Sequence, residues 1–162
     1  MRNTVKFTAG LVSAVVIGIV AASCGSDTTA PVIPTYSATL SPASEVPPKT
    51  TTGTGTATFV DNGTSIDWTM TLTGMTNVVQ SHIHGPAAVG TNASVIFNLY
   101  IPQTATGTLS PIFAKGSITN SNNLNVSLDS LRTLFKNGNA YVNVHTSANP
   151  GGEIRGQVSR SN

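Results

Sequence analysis

The stretch from Ile66 to Thr73 alternates without a break. Ile66, Trp68, Met70 and Leu72 fall on one side, and Asp67, Thr69, Thr71 and Thr73 on the other. Successive strand residues point to opposite faces, so this spacing builds a strand with one apolar and one wet face. Residues 55–60 supply a matching arm, and Asp61-Asn62-Gly63-Thr64 joins the two, with Asn-Gly offering the positive φ angles of a hairpin turn. A lone hairpin is marginal in water and must bury its apolar face against a second layer. Trp68 therefore reads as core. Composition agrees: 24 Thr, 15 Gly and 9 Pro with only 9% charged residues favour short strands and turns over long helices.

Alternation and turn residues place the remaining elements. Tyr36 to Leu40 is a first strand, ended by Ser41-Pro42. Glu45-Val46-Pro47-Pro48 reads as an extended loop, because paired prolines cannot donate to a ladder. Further strands are expected at 77–84, 93–101, 115–119, 123–127, 140–146 and 153–159. A short helix is expected from Asp129 to Lys136, with Leu128, Leu131, Leu134 and Phe135 on one face and Gly138 just past its end. The expectation is an all-β fold: one antiparallel Greek-key sandwich or barrel over 35–160, with one short helix and no internal repeat.

The N-terminus reads as an address. Arg2 and Lys6 precede an apolar stretch from Leu11 to Val20, and Ala21-Ala22-Ser23 then leads to Cys24, the single cysteine. Residues 1–23 have the order of a secretory signal peptide, with an apolar middle shorter than the ~20 residues a bilayer span needs. Small residues running directly into a cysteine resemble a bacterial lipobox, with Ala21 where leucine is usual. That resemblance implies lipidation of Cys24 and a membrane anchor in the inner or outer membrane, facing the periplasm or cell surface. Residues 24–34 read as the lipidated cysteine and a flexible tether.

Charge narrows the partners. With Arg2 and Lys6 set aside, the remaining basic and acidic residues balance. No basic patch is available to neutralise a phosphate backbone, so a nucleic-acid partner is not expected. A P-loop, a GxGxxG and a cysteine pair are likewise missing from the sequence. Ser81 adjoins His82, but neighbours on a strand face opposite ways, so no nucleophile–base pair forms and catalysis is not expected.

Two segments carry a family resemblance. One is Ser81-His82-Ile83-His84-Gly85-Pro86-Ala87 with the strand Ser94 to Leu99; the other runs from Ala140 to Thr146 and on through Asn149-Pro150-Gly151-Gly152-Glu153-Ile154-Arg155-Gly156-Gln157-Val158. With Ser37 to Leu40 and Glu45-Val46-Pro47-Pro48, they resemble the chordin-type (CHRD) domain across about residues 35–160. In chordin itself that domain belongs to an extracellular antagonist that binds a growth factor, which implies a binding or structural module. A fainter resemblance is to copper–zinc superoxide dismutases. By position it would match His82, His84 and His145 to three copper ligands. It leaves no bridging histidine and no zinc cluster, and it sets Glu153 where that family's signature carries an arginine.

Geometry gives the histidines two readings. Residues two apart on a strand share a face at ~6.6 Å, so His82 and His84 converge while Ile83 points away. His145 shares a face with Tyr141 and Asn143, leaving Val142 and Val144 for the core. In one reading the three rings hydrogen-bond loop carbonyls near Gly85-Pro86 and Asn149-Pro150; in the other they hold copper or zinc. Glu153 and Arg155 also share a face, either as an exposed ion pair or as a charged rim beside the histidines with Tyr141 and Asn143. The leading expectation is a lipid-anchored binding or structural module of the cell envelope with an unidentified protein or polysaccharide ligand. The alternative is a copper-binding protein.

Overall fold

The computed structural model describes residues 32–100 and 112–162. The leader, Cys24 and most of the tether lie outside them. Strands β1 (Thr35–Leu40), β2 (Thr54–Asp61) and β3 (Ile66–Thr73) form an antiparallel meander. Strands β4 (Val78–His84) and β5 (Val95–Tyr100) make a second hairpin, and β6 (Ile112–Ile118) returns to pair with β3. Helix α1 (Leu128–Lys136) precedes β7 (Tyr141–Thr146), β8 (Ile154–Gln157) and the short β9 (Ser159–Arg160). One sheet runs β6-β3-β2-β1-β9 and the other β5-β4-β7-β8. The chain changes sheets after β3, β5, β6 and β8, and the result is the antiparallel sandwich that the alternation requires.

The core lies between the sheets. Leu40, Phe59, Ile66, Met70 and Leu72 meet Ile83, Val142, Val144 and Ile154, all at 1% exposure or less. Trp68 joins them, and the bare Cα of Gly116 opposite leaves room for its indole. The helix plugs this core with Leu128, Leu131 and Phe135. The Phe135 ring sits 4.8 Å from Phe59 and 5.4 Å from Tyr36, centroid to centroid. Ser127 caps its start by accepting from the Ser130 amide, and Gly138, at φ 66, ends it as expected.

A charged lock holds the helix against the first hairpin. Arg132 Nε donates to both carboxylate oxygens of Asp61 at 3.1 and 2.9 Å, and its Nη2 donates to the Gly63 carbonyl at 2.6 Å. Within that turn only Gly63 takes a positive φ, of 86°; Asn62 does not, and instead donates to Asp67 at 2.7 Å. The loop is accordingly one of four residues, since Asp61 pairs with Ile66.

Two strand expectations are corrected. Residues 123–127 form no strand: Leu124 and Val126 pack on the core while the backbone turns. Asn122 donates to the Thr119 carbonyl, and Asn125 spends both its amides on the Ile96 and Val95 carbonyls, so side chains and turns replace a ladder. The continuous strand expected at 153–159 splits into β8 and β9, which belong to different sheets. Its hinge is Val158, fully buried and bonded to the Ala140 carbonyl. At Gly156 a Cβ would come within contact of the Thr39 carbonyl, so the crossing is as close as a backbone permits. Among the described residues no helix is long and apolar enough to cross a membrane.

Because Phe135 is fully buried and anchors the helix on β1 and β2 through two ring contacts, Phe135→Ala is expected to cost about 3–5 kcal/mol in urea unfolding. A loss under about 1 kcal/mol would show that the helix is peripheral to the core.

Candidate functional site

The outer face of the second sheet breaks the pattern of one dry and one wet side. Every residue of β7 is buried, and so are Ser81 to His84 of β4. The pairing of β4 with β7 sets His82 beside Asn143, His84 beside Tyr141 and Gln80 beside His145, while β8 adds Arg155 beside Asn143. Ile83, Val142 and Val144 face the core, as the spacing predicts. Ser81 faces the core with them, opposite Val144 and away from His82. Loops running through Glu45, Thr91 to Ala93 and Pro150 cover the polar face.

The three histidines meet. One ring nitrogen from each lies within 4.8 Å of the others, and the side chains are only 7–8% exposed. His145 Nδ1 donates to the Pro150 carbonyl at 2.9 Å, and His84 Nδ1 donates to the Ala93 carbonyl at 2.9 Å. A carbonyl can only accept, so in both rings the proton of the neutral form sits on Nδ1 and Nε2 is a bare lone pair. Those two Nε2 atoms each lie 3.0 Å from Asn143 Oδ1, and His145 Nε2 lies 3.1 Å from His82 Nδ1. The structural bonds use only one side of these rings: one nitrogen of His84 and of His145 is spent on a loop carbonyl, and the other points inward. The expected carbonyl at Pro150 is present, whereas His84 uses Ala93 rather than the Gly85-Pro86 turn.

The pattern fits a cation. Two ligands ~2.0–2.1 Å from one ion sit about 2.9–3.4 Å apart when adjacent and about 4.2 Å apart when opposite. The contacts of 3.0 and 3.1 Å match adjacent ligands. Carbonyl-fixed imidazoles are the usual outer shell of a metal ligand.

Electrostatics keep the rings ready to bind. Burial, then the neighbouring His145 and His84, push the His82 pKa down to about 4. The His84 pKa is also lowered, by burial first, against the opposing pull of its bonds to Ala93 and Asn143. Neutral rings at physiological pH are the metal-binding form. Behind His84 lies a stack: its ring is 4.7 Å from that of Tyr141 at an interplanar angle of 1°, and the Arg155 guanidinium sits 3.3 Å above the other ring's centroid.

The expected exposed pair of Glu153 and Arg155 is corrected: both are buried, and they bond to other partners. Glu153 accepts from Thr146 at 2.6 Å and Asn149 at 3.2 Å, which pins the turn carrying Pro150. Arg155, 2% exposed, donates to Asn92 Oδ1 at 2.9 Å and the Thr91 carbonyl at 2.6 Å, so it fastens the loop that carries Ala93. Glu45 and Gly152 also belong to this face, although the sequence marks Glu45 only as part of an extended loop. Its signal was a lone carboxylate separated by one residue from paired prolines.

Together these features define an all-β domain carrying a buried polar cluster on one sheet. The CHRD domain family model matches residues 36–158, and the chain belongs to that family. Neither the curated proteins nor the solved structures yielded a match.

The depressed His82 pKa makes stability depend on pH. The unfolded chain takes up a proton near pH 6.5, while the folded ring resists until about 4. Stability is full above pH 6.5 and is lost as pH falls toward 4. In the presence of a chelator, urea unfolding of the parent is expected to weaken by about 2 kcal/mol between pH 6.5 and 5, and His82→Gln by less. Parallel pH curves for the two proteins would contradict the burial of an uncharged ring.

Proposed function

We propose that this CHRD domain is a binding module whose ligand is one transition-metal ion, copper or zinc, held by His82, His84 and His145. The observation that carries the reading is the convergence of lone pairs: two Nε2 atoms, bare because carbonyls hold Nδ1–H, face the same amide oxygen 3.0 Å away. His82 Nδ1–H can donate to His145 Nε2 at 3.1 Å, which leaves the His84 lone pair and the Asn143 oxygen facing each other, and a cation among these atoms would satisfy both. When bound, such an ion supplies Lewis acidity and, for copper, one-electron redox chemistry. The chain's own residues orient the rings, through Ala93 and Pro150, and exclude bulk water.

The proposal extends to location. The leader, the lipobox-like end and the tether support an exported protein anchored through lipid on Cys24, with the domain displayed at the envelope. A labelled fatty acid is expected to mark the parent but not Cys24→Ser, and equal labelling would remove the anchor.

The metal reading is tested by titrating the purified protein with copper(II) and zinc(II), following copper by electron paramagnetic resonance. One nitrogen-ligated copper per chain is expected, with affinity lowered about 100-fold or more in His145→Ala and His84→Ala. Weak binding that is indifferent to these substitutions would make the histidines purely structural.

A further inference from the structure

Asn143 stands between two unmet electrostatic demands. On one side its Oδ1 lies 3.0 Å from the bare Nε2 atoms of His84 and His145. On the other, its Nδ2 crowds the bare Cα of Gly152 together with the carboxyl of Glu45. A Cβ at Gly152 would fall 3.0 Å from Nδ2 and 2.5 Å from Glu45 Oε1, so only glycine, here at φ 120, lets the two groups close on one point.

Glu45 itself is out of place for a surface loop. It is 5% exposed, and its Oε1 has no hydrogen-bond partner. The ion pairs among the described residues are those of Arg132, so no Lys or Arg contacts this carboxylate. Arg155 acts on it only through space, being bonded to Asn92 and Thr91. A carboxylate buried in this way needs a proton or a cation. Burial raises its pKa, against the bond from the Val46 amide and the charges of Arg155 and Lys49. A single dication beside Asn143 would answer both this carboxylate and the inward-facing histidine nitrogens.

We infer that Glu45 is a positioning residue of the metal centre: its carboxyl sits across the bare Cα of Gly152 from the nitrogen end of the Asn143 amide, whose oxygen end faces the histidines, and its negative charge favours a dication over a monocation. This rests on the three-histidine reading above. Coulombic attraction scales with the charge of the ion, so a carboxylate held near the site favours copper(II) and zinc(II) over copper(I). Asn143 lies between the carboxyl and the histidines, and Gly152 permits the close approach.

The test compares copper(II), zinc(II) and, under anaerobic conditions, copper(I) affinities in the parent, Glu45→Gln and Glu45→Asp. Glu45→Gln is expected to weaken both dications about 10–100-fold, as removal of an outer-shell partner does, and copper(I) about tenfold less. That tenfold gap corresponds to a copper potential raised by about 59 mV. Glu45→Asp keeps the charge and is expected to keep the preference for dications within about threefold. Equal losses for copper(I) and copper(II) in Glu45→Gln would reduce Glu45 to a structural prop, and unchanged affinities would remove it from the centre. Should Glu45→Gln fail to fold by circular dichroism, loss of the dication preference in Glu45→Asp would overturn the proposal. A parent that binds none of the ions overturns the histidine reading itself, whereas a parent that binds with a selectivity insensitive to Glu45 overturns only this inference.

Discussion

The site depends on how β4 pairs with β7 at the middle of the second sheet. That register puts His82 opposite Asn143 and His84 opposite Tyr141, and it turns Ile83, Val142 and Val144 inward. Since side chains alternate, a slip of one residue would send the histidines into the core and the valines outward. The core therefore enforces the site: Ile83, Val142 and Val144, none of them measurably exposed, fix the face on which the polar residues appear.

A buried polar face is costly unless each group finds a partner. Most do here, and the partners come from loops rather than strands. Arg155 reaches Thr91 and Asn92, His84 reaches Ala93, His145 reaches Pro150, and Glu153 ties down Thr146 and Asn149. These bonds hold the loops over the sheet, and the loops in turn set the tautomers of two rings. Apart from Ser81 Oγ on the core side, what is left unmatched lies around a single amide: the His84 lone pair on its oxygen side and a carboxylate oxygen on its nitrogen side. An imbalance so local is what a bound cation would resolve.

The sandwich was legible because its strands carry strict alternation. Ile66 to Thr73, Tyr36 to Leu40 and the Leu128–Phe135 helix face all fell where spacing placed them. The failures share a cause. Leu124 and Val126 alternate like a strand, but asparagine side chains captured the neighbouring backbone bonds. The run from Glu153 to Ser159 keeps its period through a change of sheet that only the close approach at Gly156 reveals. At the site, a spacing of two showed that His82 and His84 share a face. It carried no information on Glu45, nor on Ala93 and Pro150, because long-range loop closure has no period to read. Alternation put Glu153 and Arg155 on one face but could not say whether that face was wet or covered, and the loops that bury both residues left no mark in the spacing.

The central claim is that backbone carbonyls fix the tautomer of His84 and His145, with the proton on Nδ1 and the lone pair of the neutral ring on Nε2. Nitrogen-15 NMR of the imidazoles, recorded on the metal-free protein at neutral pH, reads this directly. The account predicts protonated Nδ1 and bare Nε2 signals for both residues. A proton on Nε2 of either ring, or two charged rings, would mean that no preformed ligand set exists on this face.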